Sequence, residues 1–227
     1  MPDMDKAIPG VAGVSNSLQT NDTRSLLDTV DRLRSQGISR YVDLPEIVVC
    51  GEQSSGKSSV LEAISGVKFP SKDNLCTRFA TELILRRGPM APVKNSIAPD
   101  SQVVRTDDEK QILLNFKVST ALEDLHLDTI IESAKVAMGI NDTNKAFSSD
   151  ILRVEVSGPD QAHLTLVDLP GLFQAGSRGQ SDADSEKVKS LVLRYMRSPR
   201  TIILAVVSAK SDFNNQSITR FAREIMM

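Results

Sequence analysis

The run Gly51-Glu52-Gln53-Ser54-Ser55-Gly56-Lys57-Ser58-Ser59 has the spacing G-x-x-x-x-G-K-[ST], a pattern whose chemistry is phosphate binding. Gly51 and Gly56 let the backbone curl so that successive N–H groups face one centre, and a helix opening near Gly56 adds the positive end of its dipole. Lys57 is a mobile point charge for the outer phosphates of a nucleoside triphosphate. The Ser58 hydroxyl is a hard oxygen ligand for the magnesium that accompanies them. A plain Gly/Ser-rich turn would show the same composition without the flanking elements found here.

Two further positions extend this chemistry. Asp168-Leu169-Pro170-Gly171 has the D-x-x-G spacing of GTPases. An Asp at a strand end can hold a magnesium-bound water there, and the N–H of Gly171 can sense the γ-phosphate. Thr77 lies in a polar loop downstream of the phosphate loop, where a hydroxyl completes a magnesium shell, with Thr81 as the substitute. Leu172 follows Gly171, where Ras-like GTPases carry a water-orienting glutamine, so another group must position the nucleophile. Gln53 and Ser54 are the nearest polar candidates; read as residues alone, they are equally well turn residues.

These groups need elements to position them. Leu44 to Cys50 predicts a short buried strand, and Val60, Leu61 and Ile64 recur at helical spacing until Gly66. Thr81 to Arg86 reads as a strand, Pro89 to Asp108 with its three prolines as a long loop, and Gln111 to Ser119 as a strand. A helix is expected from Asp128 to Met138. Leu152, Val154 and Val156 alternate with polar residues, Ser157-Gly158-Pro159-Asp160 turns, and His163 to Val167 returns, which predicts a hairpin. Val188, Leu191, Val192, Tyr195 and Met196 form the inward stripe of a helix from Asp184 to Arg197. Thr201 to Val207 reads as a central parallel strand, and Ile218, Phe221, Ala222 and Ile225 mark a last helix. Residues 1–22 read as a flexible tail, and residues 23–37 as a helix whose stripe of Leu26, Leu27, Val30 and Leu33 needs a partner.

The 227 residues suffice for one sizeable α/β domain. A net charge of −2 with no basic stripe points away from nucleic acid. Cys50 and Cys76 have no zinc or disulfide spacing and suit a reducing, cytoplasmic setting. The first residues lack a signal-peptide pattern and the longest apolar run is too short to cross a bilayer, so membrane contact is expected to be peripheral. His126 and His163 read as surface residues.

Residues Gly51 to Ala63, with Cys76-Thr77-Arg78 and the run Leu164 to Gly171, resemble the dynamin superfamily of large GTPases. The double serine of the loop is most similar to the Mx-like and fungal dynamin-related branch. The resemblance runs from about residue 24 to the end. It implies a three-layer α/β phosphate-loop NTPase domain with a mixed, mostly parallel sheet, partial over residues 38–227. It implies GTP as substrate with magnesium, and roles for individual residues. Gln53 and Ser54 lie by the catalytic water and the β–γ bridging oxygen, Ser54 helping to hold a monovalent cation. Lys57 binds phosphates, Ser58 and Thr77 ligate magnesium, Asp168 stands behind the metal, Gly171 meets the γ-phosphate, and Ser59, Glu52 and Ser55 belong to the nucleotide-binding loop. Asp212 falls where the family reaches across a GTPase-domain homodimer. Residues 23–37 resemble the first helix of the family's bundle-signalling element.

The sequence departs from the family at Ser71 to Leu75, which lacks the usual glycines, at Ala80 in place of a proline, and at Gln174 to Ser181. It also stops before a T/N-K-x-D motif, so the domain is expected to be incomplete at its C-terminal flank. Guanine selectivity has no visible carrier, and stalk, partner bundle helices and lipid-binding regions are expected to lie outside this chain. The resemblance implies GTP hydrolysis driving membrane remodelling or organelle fission through self-assembly. The alternatives are a non-enzymatic nucleotide-binding fragment that regulates a full-length dynamin partner, and an ATP-using phosphate-loop enzyme.

Overall fold

The structure is a computed structural model, and it describes residues 29, 46–70, 77–119, 125–141, 145–159, 161, 164–173, 182–199, 201–209 and 217–226. The expected tail 1–22, nearly all of the expected helix 23–37, and Cys76, His163, Gln174 to Ser181 and Asp212 lie outside the described residues.

Apolar strands with period-two or continuous burial build one sheet: β1 (Glu46–Gly51), β2 (Ala80–Arg87), β3 (Lys94–Ala98), β4 (Ile151–Gly158), β5 (Leu164–Asp168) and β6 (Thr201–Val206). Their order is β3-β4-β2-β5-β1-β6. β1 runs parallel to β5 and β6, and β2 parallel to β4, while β2/β5 and β3/β4 are antiparallel. The expected α/β class and mixed sheet are therefore observed.

Helices cover both faces of this sheet. On one side α1 (Lys57–Ser65), α2 (Asp107–Leu114) and α3 (Leu127–Ala137) send Leu61, Leu113, Leu127, Ile130 and Ala134 into a core with Val49, Leu83, Leu85, Leu152 and Leu166. On the other, α4 (Asp182–Met196) and α5 (Ser217–Met226) pack Val188, Leu191, Val192, Tyr195, Met196, Ile218 and Phe221 against Val48, Cys50 and Val167. All five residues of the expected α4 stripe are buried. Among the described residues no helix is long and apolar enough to cross a membrane.

Four local expectations need correction. The segment from Gln111 opens as helix: Thr106 accepts from the Glu109 amide, Glu109 accepts from the Thr106 amide at 2.8 Å, and Asp107 and Asp108 face the helix dipole. This capping box outweighs the apolar alternation that suggested a strand. Beyond it the amide and carbonyl of Val118 are both bonded at 2.7 Å by the Asn95 side chain. Second, the expected loop 89–108 contains β3, because Pro92 and Pro99 flank the strand instead of interrupting it. Third, β4 and β5 do not pair as a hairpin; β2 lies between them, since its run Ala80 to Leu83 is buried from both sides. Fourth, β6 is the last strand of the described sheet and not a central one, with Ile202 58% exposed.

Candidate functional site: a phosphate loop facing a buried aspartate

Parallel β1, β5 and β6 end on one edge of the sheet, the crevice where open α/β sheets receive ligands. The phosphate loop leaves β1 there. Gly56 caps α1 with φ +97°, and Ser54 is a non-glycine residue in the left-handed region at φ +60°. Such strain in a residue with a Cβ is characteristic of binding loops. The Ser55 amide closes the turn on the Glu52 carbonyl at 3.2 Å. Gln53, Ser54 and Ser59 are exposed, whereas Lys57 is buried to 7% exposure with its ammonium 3.1 Å from the Glu52 carbonyl and 3.5 Å from that of Gly51.

The D-x-x-G segment is laced to this loop by main-chain bonds. The Gln53 amide donates to the Leu172 carbonyl at 3.0 Å, and the Leu172 amide donates to the Gly51 carbonyl at 3.1 Å. Gly171 sits so close that a Cβ there would stand 2.8 Å from the Gln53 Cα and 2.9 Å from the Lys57 ammonium. Gly171→Ala should therefore force the two segments apart. The expected cost is about 1–3 kcal/mol of stability together with a loss of triphosphate affinity. Thermal unfolding and nucleotide titration of the variant check this, and wild-type values in both would show that the segments need no such proximity.

Across the crevice the Thr77 hydroxyl donates to Asp168 Oδ2 at 2.9 Å, joining residues far apart in sequence. Thr77 thus meets the aspartate of the D-x-x-G segment, and the substitute Thr81 pairs with Asp168 in the β2/β5 register. Ser58, Thr77 and Asp168 line one small cavity of about 20 Å3, with Phe69, Arg78, Ile131 and Lys135. That volume accommodates a water-sized occupant. Asp168 is buried, and burial pushes its carboxyl up to about 6 against the pull of Lys57 and the Thr77 hydroxyl. Among the described residues, Asp168 Oδ1 and Ser55 Oγ are buried side-chain atoms without a hydrogen-bond partner. Two hydroxyls and a carboxylate with an orphaned oxygen are the hard donor set that magnesium takes, so the residues fit the metal.

The family resemblance grouped Ser58, Thr77 and Asp168 around one magnesium, and in the structure all three line one cavity. Sequence reasoning missed Lys135 and Ile131 on α3, which reach the cavity from a helix that carries no motif. It also missed the Glu52 carboxylate, which accepts from the Ser217 amide at the start of α5 at 3.2 Å. Only the chance pairing of an acid with a distant helix start could have signalled that. Burial pushes the Cys50 thiol up to about 12, which makes it an inert core residue. His126 is exposed ahead of α3, as expected.

The interferon-induced GTP-binding protein Mx of Perca fluviatilis is 32% identical over 92% of this chain and 64% of its own length. Mx1 of Oncorhynchus mykiss is 33% identical over 89% of this chain and 30% of its own length. Dynamin-related protein 4C of Arabidopsis thaliana is 34% identical over 89% of this chain and 28% of its own length. The chain thus spans less than two thirds of these relatives. The profile of the Dynamin family matches residues 47–227, which takes in the phosphate loop, Thr77, the D-x-x-G segment and every strand of the sheet, so this chain belongs to the dynamin family.

Proposed function

We propose that this chain is the catalytic part of a dynamin-like protein that binds GTP with magnesium and hydrolyses it. The observation that carries this reading is the meeting of Ser58, Thr77 and Asp168 at one cavity beside the buried Lys57. Magnesium held by Ser58 and Thr77, with Asp168 behind, would supply charge neutralisation at the phosphate oxygens. The loop amides and Lys57 bind and orient the triphosphate. Gly171 brings its N–H to the outer phosphate, and the close Gln53–Leu172 lacing excludes water from beneath it. Gln53 and Ser54, exposed at the loop's mouth, hold the attacking water and the bridging oxygen, with Ser54 sharing a monovalent cation. Guanine as the base rests on the family and on relatives described as GTP-binding.

The wider role we propose is membrane remodelling by self-assembly in the cytoplasm, through GTPase-domain dimers in which Asp212 reaches the partner.

Phosphate release with GTP and with ATP tests the core of this reading. Gln53→Glu, Ser54→Ala and Thr77→Ala should each slow GTP turnover by about 10²-fold and leave nucleotide affinity within a few-fold, because these groups act where charge develops. Tight GTP binding without phosphate release from the wild type would favour the non-enzymatic regulator instead. Faster phosphate release from ATP than from GTP would overturn guanine as the base.

A further inference from the structure

Consecutive phosphate-loop residues are tied to the two ends of the connection between β6 and α5. Gly51 pairs in register with Val206, the last residue of β6, and a Cβ on Gly51 would collide with the Val206 carbonyl oxygen. Glu52 takes the other end: its Oε1 accepts from the Ser217 amide at 3.2 Å. Ser217 opens α5, so its N–H is one of the donors that a helix leaves without an internal partner, and the positive end of the helix favours a carboxylate there.

The main chain of Glu52 meanwhile belongs to the phosphate site. Its carbonyl accepts from Lys57 at 3.1 Å and from the Ser55 amide at 3.2 Å, and the residue bridges in parallel to Leu172. Lys57 must turn from these carbonyls toward incoming phosphates, which withdraws one of the donors that hold Glu52. A negative side chain in a loop that receives a triphosphate also repels its ligand, so a turn role alone leaves the choice of acid unexplained. Capping of α5 explains it.

We propose that Glu52 is a positioning residue that couples occupancy of the phosphate loop to the first turn of α5, through the bond from the Ser217 amide to its carboxylate. The proposal rests on the reading that this loop binds GTP. Phosphate binding is thereby transmitted to the start of α5 through the Glu52 side chain.

Amide hydrogen exchange resolved by residue, on the whole chain with and without magnesium and guanosine 5′-(β,γ-imido)triphosphate, tests it. In the wild type, exchange at Ser217 should change at least about threefold on adding the analogue. Glu52→Ala should raise exchange at Ser217 in the unliganded protein by about tenfold, the loss of one ordinary hydrogen bond, and abolish the response to the analogue. Glu52→Gln keeps an acceptor and should restore slow exchange, while tightening binding of the analogue through removal of the like charge. Ser217→Pro deletes the donor at a helix position that tolerates proline, and read at Ile218 it should be as unresponsive as Glu52→Ala; combining the two should add nothing further.

Wild-type exchange at Ser217 in Glu52→Ala, or an undiminished response to the analogue in that variant, would overturn the coupling. So would a wild type that binds the analogue by calorimetry with no change at Ser217, and the GTP reading would then stand. A wild type that fails to bind the analogue would overturn both.

Discussion

Lys57→Ala should abolish useful triphosphate binding while leaving the domain folded. The ammonium is buried among the Gly51 and Glu52 carbonyls and beside Gly171, in a pocket from which water is largely excluded. Removing one partner of a desolvated charge pair costs about 2–5 kcal/mol. At about 1.4 kcal/mol per decade this weakens binding by about 30-fold to a few thousand-fold. The fold should survive because neither carbonyl is left bare: the Gly51 carbonyl still accepts from the Leu172 amide, and that of Glu52 from the Ser55 amide. Alanine is also the best helix former, at a position that opens α1. Calorimetric titration with magnesium and GTP, paired with circular dichroism, decides the matter. Unchanged affinity in a folded variant would remove the phosphate-loop assignment.

The second large effect runs in opposite directions for stability and activity. Asp168→Asn should stabilise the unliganded protein in the presence of a chelator and lower magnesium-dependent GTP turnover by about 10²-fold. Burial pushes the Asp168 carboxyl up to about 6 from 3.8. Because the folded value lies above the unfolded one, folding favours the protonated form. Its contribution is present below about pH 4 and is lost as pH rises through about 6. A shift of about two pK units is worth about 3 kcal/mol at most. Asparagine has nearly the same shape, can still accept from the Thr77 hydroxyl, and carries no charge to bury. The wild type should therefore be less stable than the variant by about 1–3 kcal/mol at pH 7.5, and the gap should close toward pH 4. The difference between two thermal-unfolding series isolates Asp168 from Asp100 and Glu109, whose carboxyls are held below their usual range and therefore act in the reverse sense. A variant no more stable than the wild type at neutral pH would mean that the aspartate carries no burial cost.

Much of this site was legible in the chain because its parts are local. A phosphate loop is one turn between one strand and one helix, so nine consecutive residues contain the glycines, the lysine and the hydroxyl that it needs. Helical stripes are local in the same way: Val188, Leu191, Val192, Tyr195 and Met196 repeat at the helical period, and the same five are buried in α4. The family resemblance was likewise written in short motifs, and the match over residues 47–227 bears it out. Where two local signals compete, the capping box formed by Thr106 and Glu109 prevails over the apolar alternation after Gln111.

Partner choice was not legible, because alternation identifies a strand without saying which strand lies beside it. Thus β4 and β5 looked like a hairpin, and only the complete sheet shows β2 between them. That insertion is what sets Thr81 opposite Asp168 and carries Thr77 to the Asp168 carboxylate. The same holds for the Glu52 bond to Ser217 and for Lys135 at the cavity, each contributed by an element with no motif of its own. The residue types that do phosphate chemistry, and the order of the elements carrying them, are properties of the chain. Their convergence, and the burial that pushes the Asp168 carboxyl up, depend on non-local packing of the sheet and its two helical layers, which no stretch of sequence specifies alone.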